Sequence, residues 1–483
     1  MIDFRPIQFV AGVLLVILAA AMMVPALVDV AAGHPNWRAF LASAAVTLFF
    51  GGGLALASRG AGRGILEVRQ AFVLTTTSWI VLPAFAALPM VFSDLDLSYT
   101  DAFFEAMSGL TTTGSTVITG LDEAPPGILL WRALLQWLGG IGIIVMAVAI
   151  LPMLQVGGMQ LFRMESSDTS EKVLPRAAQI AGATGGVYLG LTAICVVALW
   201  AVGLEFFEAV AHAMTTIATG GFSTSDASIG KFQSALVDWI IILFMILGSL
   251  PFVLYVQAVR GRARPLLRDS QVHWFLAIVA VSIGAMTWWQ IVALDSDAAP
   301  ALRYAAFNVV SIITGTGYST ADYDLWGTFA VAGFFFFMFI GGCAGSTSCG
   351  IKIFRFQVLY ETIRVQMRGL VQPHGVFAPR YNDRPIPDSV IDSVMSFFFL
   401  FALVYVSLAL ALFALGLDFV TSLSGAATAI ANVGPALGDV IGPAGTFAPL
   451  PDAAKWLLAA GMLLGRLELF TVLVLFTPRF WRG

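Results

Sequence analysis

The chain is built around apolar runs long enough to cross a lipid bilayer, and that feature alone removes most folds from consideration. A spanning helix needs about 20 apolar residues, and such runs begin near Phe9, Phe40, Gln70, Gly127, Ala177, Leu236, Val272, Gly327, Ser389 and Ala453. Ten spans are expected. Within lipid every backbone amide and carbonyl must find a partner inside the protein, so the runs are helices and the chain is an all-α polytopic membrane protein. With 59% hydrophobic and 11% charged residues, there is too little polar surface to clothe a soluble protein of 483 residues. The first run, Phe9 to Gly33, is too long for the apolar region of a signal peptide and lacks a convincing cleavage site, which makes it a retained span.

Charge then gives orientation. Arg59, Arg63 and Arg69 follow the second run, Arg163, Lys172 and Arg176 the fourth, and Arg260, Arg262, Arg264 and Arg268 the sixth. Lys352, Arg355, Arg364, Arg368, Arg380 and Arg384 follow the eighth, and Arg479 and Arg482 lie beyond the last. Basic loops face the cytoplasm, so both termini are expected there. The opposite connections carry Asp94, Asp96, Asp101, Asp226, Asp295, Asp297, Asp322, Asp324, Asp418 and Asp439, an acidic outer face that concentrates cations. A net charge of -4 with scattered Lys and Arg argues against nucleic acid as a partner. Cys195, Cys343 and Cys349 sit in apolar surroundings, with neither a disulfide framework nor zinc spacing.

Between the third and fourth runs, and in each later outer connection, lies a segment too long for a turn and too short to cross. These are AFFEAMSGLTTTGST, FFEAVAHAMTTIATGGFST, YAAFNVVSIITGTGYST and LSGAATAIANVGPALG. Each reads as a short helix that enters the membrane from outside and ends in a small-residue loop. Their glycines, Gly114, Gly220, Gly317 and Gly434, recur roughly every 100 residues, the mark of an internal repeat. The expected organisation is a two-span hairpin over 1–69, then four units of span, re-entrant pore helix and span around a central pore. Those units cover 70–160, 161–268, 269–388 with a cytoplasmic linker, and 389–483.

One such loop also suits close packing of helices through small residues. Four at matched places suggest a common axis, where carbonyls and threonine hydroxyls replace the water shell of a cation. Glycine supplies the positive φ that aligned carbonyls require. Thr113, Thr219, Thr316 and Val433 precede the glycines as compact β-branched supports. A pore helix also turns its partially negative carbonyl end toward the middle of the pore.

On TTTGSTVITG, HAMTTIATGGFSTSD, SIITGTGYSTADYDLW, ANVGPALG and the terminal GRLELFTVLVLFTPRFWR, the chain resembles the TrkH subunits of the Trk/Ktr/HKT superfamily of potassium transporters. The resemblance covers nearly the whole chain, and the extra N-terminal span pair is unlike the shorter KtrB relatives. It implies a single filter that coordinates K+ through Thr112, Thr113, Gly114, Ala218, Thr219, Gly220, Gly315, Thr316, Gly317, Asn432, Val433 and Gly434. Sodium-preferring plant members carry Ser at the first glycine, and Gly114 here favours potassium. Ser115, Gly221, Tyr318 and Pro435 follow the four glycines and differ from one another, so an asymmetric, modestly selective filter is expected.

The eighth run contains FIGGCAGSTSCGIKIF, where Gly341, Gly342, Gly345 and Gly350 are expected to break the helix around a polar loop. A small-residue packing face is the alternative. By resemblance this is a gating loop: Gly342, Cys343, Ala344, Gly345, Ser346, Thr347 and Ser348 obstruct the pore, and Arg466 holds the obstruction by donating to its carbonyls. The family also implies a homodimer in the bacterial inner membrane, no cofactor on this chain, and a cytoplasmic TrkA-like ring that binds nucleotides. Arg163 to Arg176 and Lys352 to Arg384 are the docking surface for that ring, or ordinary positive-inside anchors.

Rival readings are a symporter coupled to protons or sodium and, in another class, an intramembrane enzyme using Cys343 and Cys349 with His212. The four histidines lack metal-ligand spacing and read as structural, and Asp101 and Glu105 suggest a proton path or metal site only weakly. No span but the last is expected to hold a well-placed interior acid or base, which favours gated diffusion and no enzymatic activity.

Overall fold

A computed structural model describes residues 2–60, 67–146, 177–382 and 384–482. The basic segment Arg163 to Arg176 and Arg63 lie outside the described residues. Among those described, seven helices are long and apolar enough to cross a membrane, or nine if two sharply bent pairs each count once. The eighth run of the sequence holds only the ten-residue helix Thr328–Phe337 before its backbone leaves the helical path.

The N-terminal hairpin is Arg5–Ala31, with a break at Met22, against Trp37–Ala57. Gly12 and Gly51 let the two backbones touch: a Cβ on Gly12 would stand 2.7 Å from the Gly51 carbonyl. Small residues at a crossing are the usual means of joining helices in lipid, where burial of apolar surface gives no advantage. Asp29, fully buried, accepts from the Gly127 amide at 2.6 Å and from Asn36 at 3.2 Å. It thereby fixes the hairpin to a helix N-terminus in the next unit.

Four pore helices follow: Tyr99–Leu110, Phe206–Ile217, Ala298–Ile313 and Phe419–Ala431. At 12 to 16 residues they measure about 18 to 24 Å, short of the ~30 Å hydrocarbon core. Their inner halves are sheathed on every side; every residue from Ala305 to Ile313 is buried. Ser98 and Asp418 cap the outer ends of the first and fourth through the amides of Asp101 and Thr421.

Flanking spans surround the pore helices. Val68–Ala86 and Pro126–Val145 enclose the first, and Ala177–Ala201 and Ala235–Gly248 the second. Ser270–Ala293 and Thr328–Phe337 enclose the third, and Asp388–Ala414 and Asp452–Arg466 the fourth. Exposed Phe49, Val281 and Phe399 belong to the outer, lipid-compatible surface. The inner spans of the last three units are all interrupted. Ala235–Gly248 bends by 95° into Phe252–Val259, and Asp452–Arg466 by 105° into Phe470–Phe476. Between Thr328–Phe337 and Ile353–Val371 the chain forms an extended loop. A small antiparallel pair, Arg380–Tyr381 with Arg384–Pro385, lies in the linker before Asp388.

Candidate functional site

All four pore helices end the same way. The amides of Thr113, Gly220 and Thr316 each return at 2.8 Å to a carbonyl five residues earlier, on Ser108, Thr215 and Ser311, and Val433 does so to Thr428 at 3.1 Å. The residue before each of these, Thr112, Thr219, Gly315 or Asn432, has φ between 50° and 71°, and the residue after, Gly114, Gly221, Gly317 or Gly434, has φ between 80° and 117°.

This alignment corrects the register expected in the second loop. Gly221, not Gly220, is the counterpart of Gly114, Gly317 and Gly434. Gly220 takes the place of Thr113, Thr316 and Val433, and Ala218 stands one step further back, with Thr111 and Thr314. Two consecutive glycines in ATGG leave spacing unable to choose, whereas only the second adopts positive φ.

The loops close on one another in sequence order. A Cβ on Gly114 would overlap the Gly220 carbonyl, one on Gly221 the Thr316 carbonyl, and one on Gly317 the Val433 carbonyl. On Gly434 it would come within 2.9 Å of the Thr113 carbonyl, returning to the first loop. Every unit thus sets a side-chain-free position against a carbonyl of the next, and the fourth against the first. Such a ring of backbone oxygens suits the replacement of a cation's hydration shell.

Polar groups brace the ring from behind. Asn432 Nδ2 donates to Thr113 Oγ1 and the Met462 carbonyl, both at 2.9 Å, and Ser115 Oγ donates to the Gly434 carbonyl at 2.7 Å. Thr111 pairs with Thr113, and Thr314 with Thr316, each at 2.7 Å. Tyr318, buried, contacts the hydroxyls of Thr215 and Thr216.

The largest brace is one that sequence reasoning missed. Arg132, within Pro126–Val145, donates through Nε to Glu105 at 2.8 Å and through Nη1 to the Ser223 carbonyl at 2.8 Å, with both charged side chains at 1% exposure or less. Glu105 also accepts from Thr116 Oγ1 and the Val117 amide, each at 2.9 Å. The expectation that only the last span holds a well-placed interior charge is therefore wrong. Its signal was present as a lone Arg in the apolar run LLWRALLQ. Asp101 pairs with Lys455 at 2.5 Å, separately from Glu105.

The helix break around Gly341 to Gly350 forms a loop directly beneath the ring. Thr347 Oγ1 donates to the Gly248 carbonyl at 2.8 Å and lies 3.0 Å from the Ile217 carbonyl, and Thr219 Oγ1 reaches it at 3.2 Å. Ser348 Oγ lies 2.6 Å from the Thr314 carbonyl and accepts from the Gly342 amide at 2.8 Å. Cys349 Sγ is 3.7 Å from Thr112 Oγ1. The loop thus touches the inner ends of the first three pore loops.

It is also tied to every neighbouring break. The Cys343 amide donates to the Ser249 carbonyl at 3.0 Å, Phe252 donates to the Gly345 carbonyl at 3.0 Å, and Ala344 donates to Gln271 at 3.0 Å. Ser346 Oγ closes the turn onto the Cys343 carbonyl at 2.6 Å, and Gly345 has φ 75°. Arg466 spans the site: Nη1 lies 3.3 Å from the Thr347 carbonyl and 2.6 Å from Cys349 Sγ, and Nη2 donates to the Gly139 carbonyl at 3.1 Å. Arg466 and Glu468 do not pair; Glu468 binds Arg355.

A cavity of about 30 Å³, lined by Ser346, Cys349, Lys352, Arg466 and Glu468 among others, lies beside this loop, room for about one water. Lys352, which donates to the Ser348 carbonyl, and Arg355 are buried here, so the start of the expected docking stretch is interior. His212 is engaged on both ring nitrogens, by the Glu208 carbonyl at 2.8 Å and Ser223 Oγ at 3.0 Å, which leaves neither to activate a cysteine.

Carboxylates ring the outer side. Asp122 and Glu208 both reach Lys231, at 3.3 and 3.0 Å. Asp324 accepts from the Gly438 amide at 2.7 Å; burial raises its pKa, Gly438 opposes this, and Asp322 and Asp439 add to the rise, so that it titrates at about 6.

The TrkH family profile, described as cation transport protein, matches residues 37–482. The chain is 50% identical to the Trk system potassium uptake protein TrkI of Halomonas elongata, over 99% of this chain and 97% of that protein. It is 39% identical to the Trk system potassium uptake protein TrkH of Escherichia coli, over 99% of both. The crystal structure of the potassium transporter TrkH from Vibrio parahaemolyticus superposes with a TM-score of 0.92 at 37% identity, covering 100% of both chains. A closed ring of four pore loops above a broken helix, matched along nearly the whole sequence, makes this chain a member of the TrkH family of cation transport proteins.

Proposed function

We propose that this chain is the potassium-translocating subunit of a Trk-type uptake system in a bacterial inner membrane, with both termini cytoplasmic. The observation that carries the reading is the cyclic closure of the four loops, each glycine against the next loop's carbonyl. Cations enter past the acidic mouth and lose water at the ring formed by Thr112, Thr113, Gly114, Thr219, Gly220, Gly221, Gly315, Thr316, Gly317, Asn432, Val433 and Gly434. The working units are 1–69, 70–160, 161–268, 269–388 and 389–483, one hairpin and four pore repeats.

Below the ring, Gly342 to Ser348 are the gate and Arg466 its latch. The cationic cluster of Lys352, Arg355 and Arg466, countered by Glu468, adds an electrostatic barrier to the steric one. Transport is gated passage rather than coupled symport or enzymatic chemistry: Glu105 and Arg132 hold each other in a fixed brace. The protein works as a homodimer with a TrkA-like nucleotide-binding ring. A cytoplasmic groove of about 610 Å³, with Tyr360, Ile363, Arg364, Met367, Arg368 and Phe377 in its lining, offers apolar and basic contacts for that assembly.

The test is rubidium uptake into proteoliposomes, competed by potassium and by sodium, for wild type and a variant lacking Ala344 to Ser348. Strong competition by potassium, weak competition by sodium and faster flux in the shortened protein are expected. Absence of uptake in correctly folded wild type and variant overturns the reading.

A further inference from the structure

The second pore loop lacks a side chain where the others have one. Thr113, Thr316 and Val433 fill that position in their loops, and Gly220 leaves it empty. The space is not vacant: a Cβ on Gly220 would meet three atoms first, and all belong to the Gln136 carboxamide. Gln136 reaches in from Pro126–Val145 and is fully buried. Its Nε2 donates to the Gly220 carbonyl at 2.5 Å, and its Oε1 accepts from the Phe222 amide at 3.0 Å. The two bonds bracket Gly221, the residue that completes the ring.

We infer that Gln136 is a positioning residue for ion selectivity, a side chain supplied by the first unit that stands in for the one missing at Gly220. The inference rests on the reading of the four loops as a potassium filter. A bare glycine pair is the least constrained backbone in the ring, and two hydrogen bonds from one planar amide fix both peptide groups that flank it. A donor on the Gly220 oxygen also occupies one of its lone pairs. That oxygen therefore offers less electron density to a cation than the carbonyls of Thr316, Val433 and Thr113. Where the other loops tune their shape with their own side chains, this one is tuned from its neighbour.

The experiment compares wild type, Gln136→Met, Gly220→Thr and the pair Gln136→Ala/Gly220→Thr in proteoliposomes, reading rubidium uptake against sodium competition. Size-exclusion profiles in detergent serve as the folding control. Gln136→Met keeps the length of the side chain and removes both hydrogen bonds. It is expected to lower discrimination against sodium about tenfold, the effect of one to two net hydrogen bonds, while maximal flux stays within a few-fold. Gly220→Thr alone collides with Gln136 and loses uptake. The pair gives the second loop the residue its counterparts carry, clears the space, and recovers uptake above Gly220→Thr and discrimination above Gln136→Met.

Unchanged discrimination in folded Gln136→Met overturns the inference while leaving the filter reading intact, as does a pair no better than Gly220→Thr. Wild type that fails to distinguish rubidium from sodium overturns the filter reading itself, and the inference with it.

Discussion

Replacing Glu105 by Ala tests how the ring is held. The carboxylate is fully buried and accepts from Arg132 Nε at 2.8 Å, Thr116 Oγ1 at 2.9 Å and the Val117 amide at 2.9 Å. Its removal strands a guanidinium at 1% exposure that keeps only the Ser223 carbonyl and Thr116 as hydrogen-bond partners. Breaking a buried pair from one side costs about 3–5 kcal/mol, mostly because the surviving charge loses its partner in a low dielectric. The unmet Val117 amide pushes the figure toward the upper end. Removing both charges, as Glu105→Leu with Arg132→Met, strands nothing and is expected to cost less than Glu105→Ala alone.

Denaturant unfolding in detergent, followed by tryptophan fluorescence and compared at equal slope, gives the two differences. A loss below about 1 kcal/mol for Glu105→Ala refutes the brace. A double variant less stable than the single one refutes the argument from the stranded charge.

Four further outcomes are expected. Gly221→Ala places a Cβ against the Thr316 carbonyl at φ 80°, and uptake measured as above is expected to drop about tenfold or more; near-wild-type uptake contradicts the register assigned to the second loop. Asp324, titrating at about 6 against an ordinary 3.8, loses its charge as the outer pH falls through 6. Uptake at limiting potassium therefore declines across that interval in wild type and stays flat in Asp324→Asn. Because the folded chain holds this proton more tightly than the unfolded one, Asp324 also makes stability fall as pH rises from about 4 to 6, which unfolding at a series of pH values reads directly. Arg466→Gln weakens the ties to Thr347 and Gly139, and flux is expected to rise; unchanged or slower flux removes Arg466 as a latch.

The architecture was legible because lipid enforces it: apolar length gave the spans, and glycine and threonine at matched depth gave the four re-entrant segments. The broken helix was legible from Gly341 to Gly350. What escaped was decided by conformation or by partners distant in the chain. The choice between Gly220 and Gly221 depends on which adopts positive φ, and nothing local in ATGG reveals it. The role of Arg132 depends on Glu105, 27 residues away in sequence, and on a carbonyl in another unit. Lys352 and Arg355 looked like cytoplasmic anchors because their sequence position follows a span. They are buried because that span stops after ten helical residues and folds back. At the same break the eighth of the ten apolar runs falls short of an unbroken span, so that seven to nine helices among the described residues meet the length and apolarity of one.

Cyclic closure also bears on how such a protein accumulates change. In a pore made from four identical chains, one substitution is copied to every quarter, and its cost is met four times over. Here the four quarters are written separately in one gene, so a change strikes one sector and its repair can come from the adjoining one. Gly220 and Gln136 form such a pair: a side chain absent from one repeat is matched by an amide from the repeat beside it. Around such a circle each loop has a neighbouring repeat against which a change can be offset, and the first and last repeats are as close in that arrangement as any consecutive two.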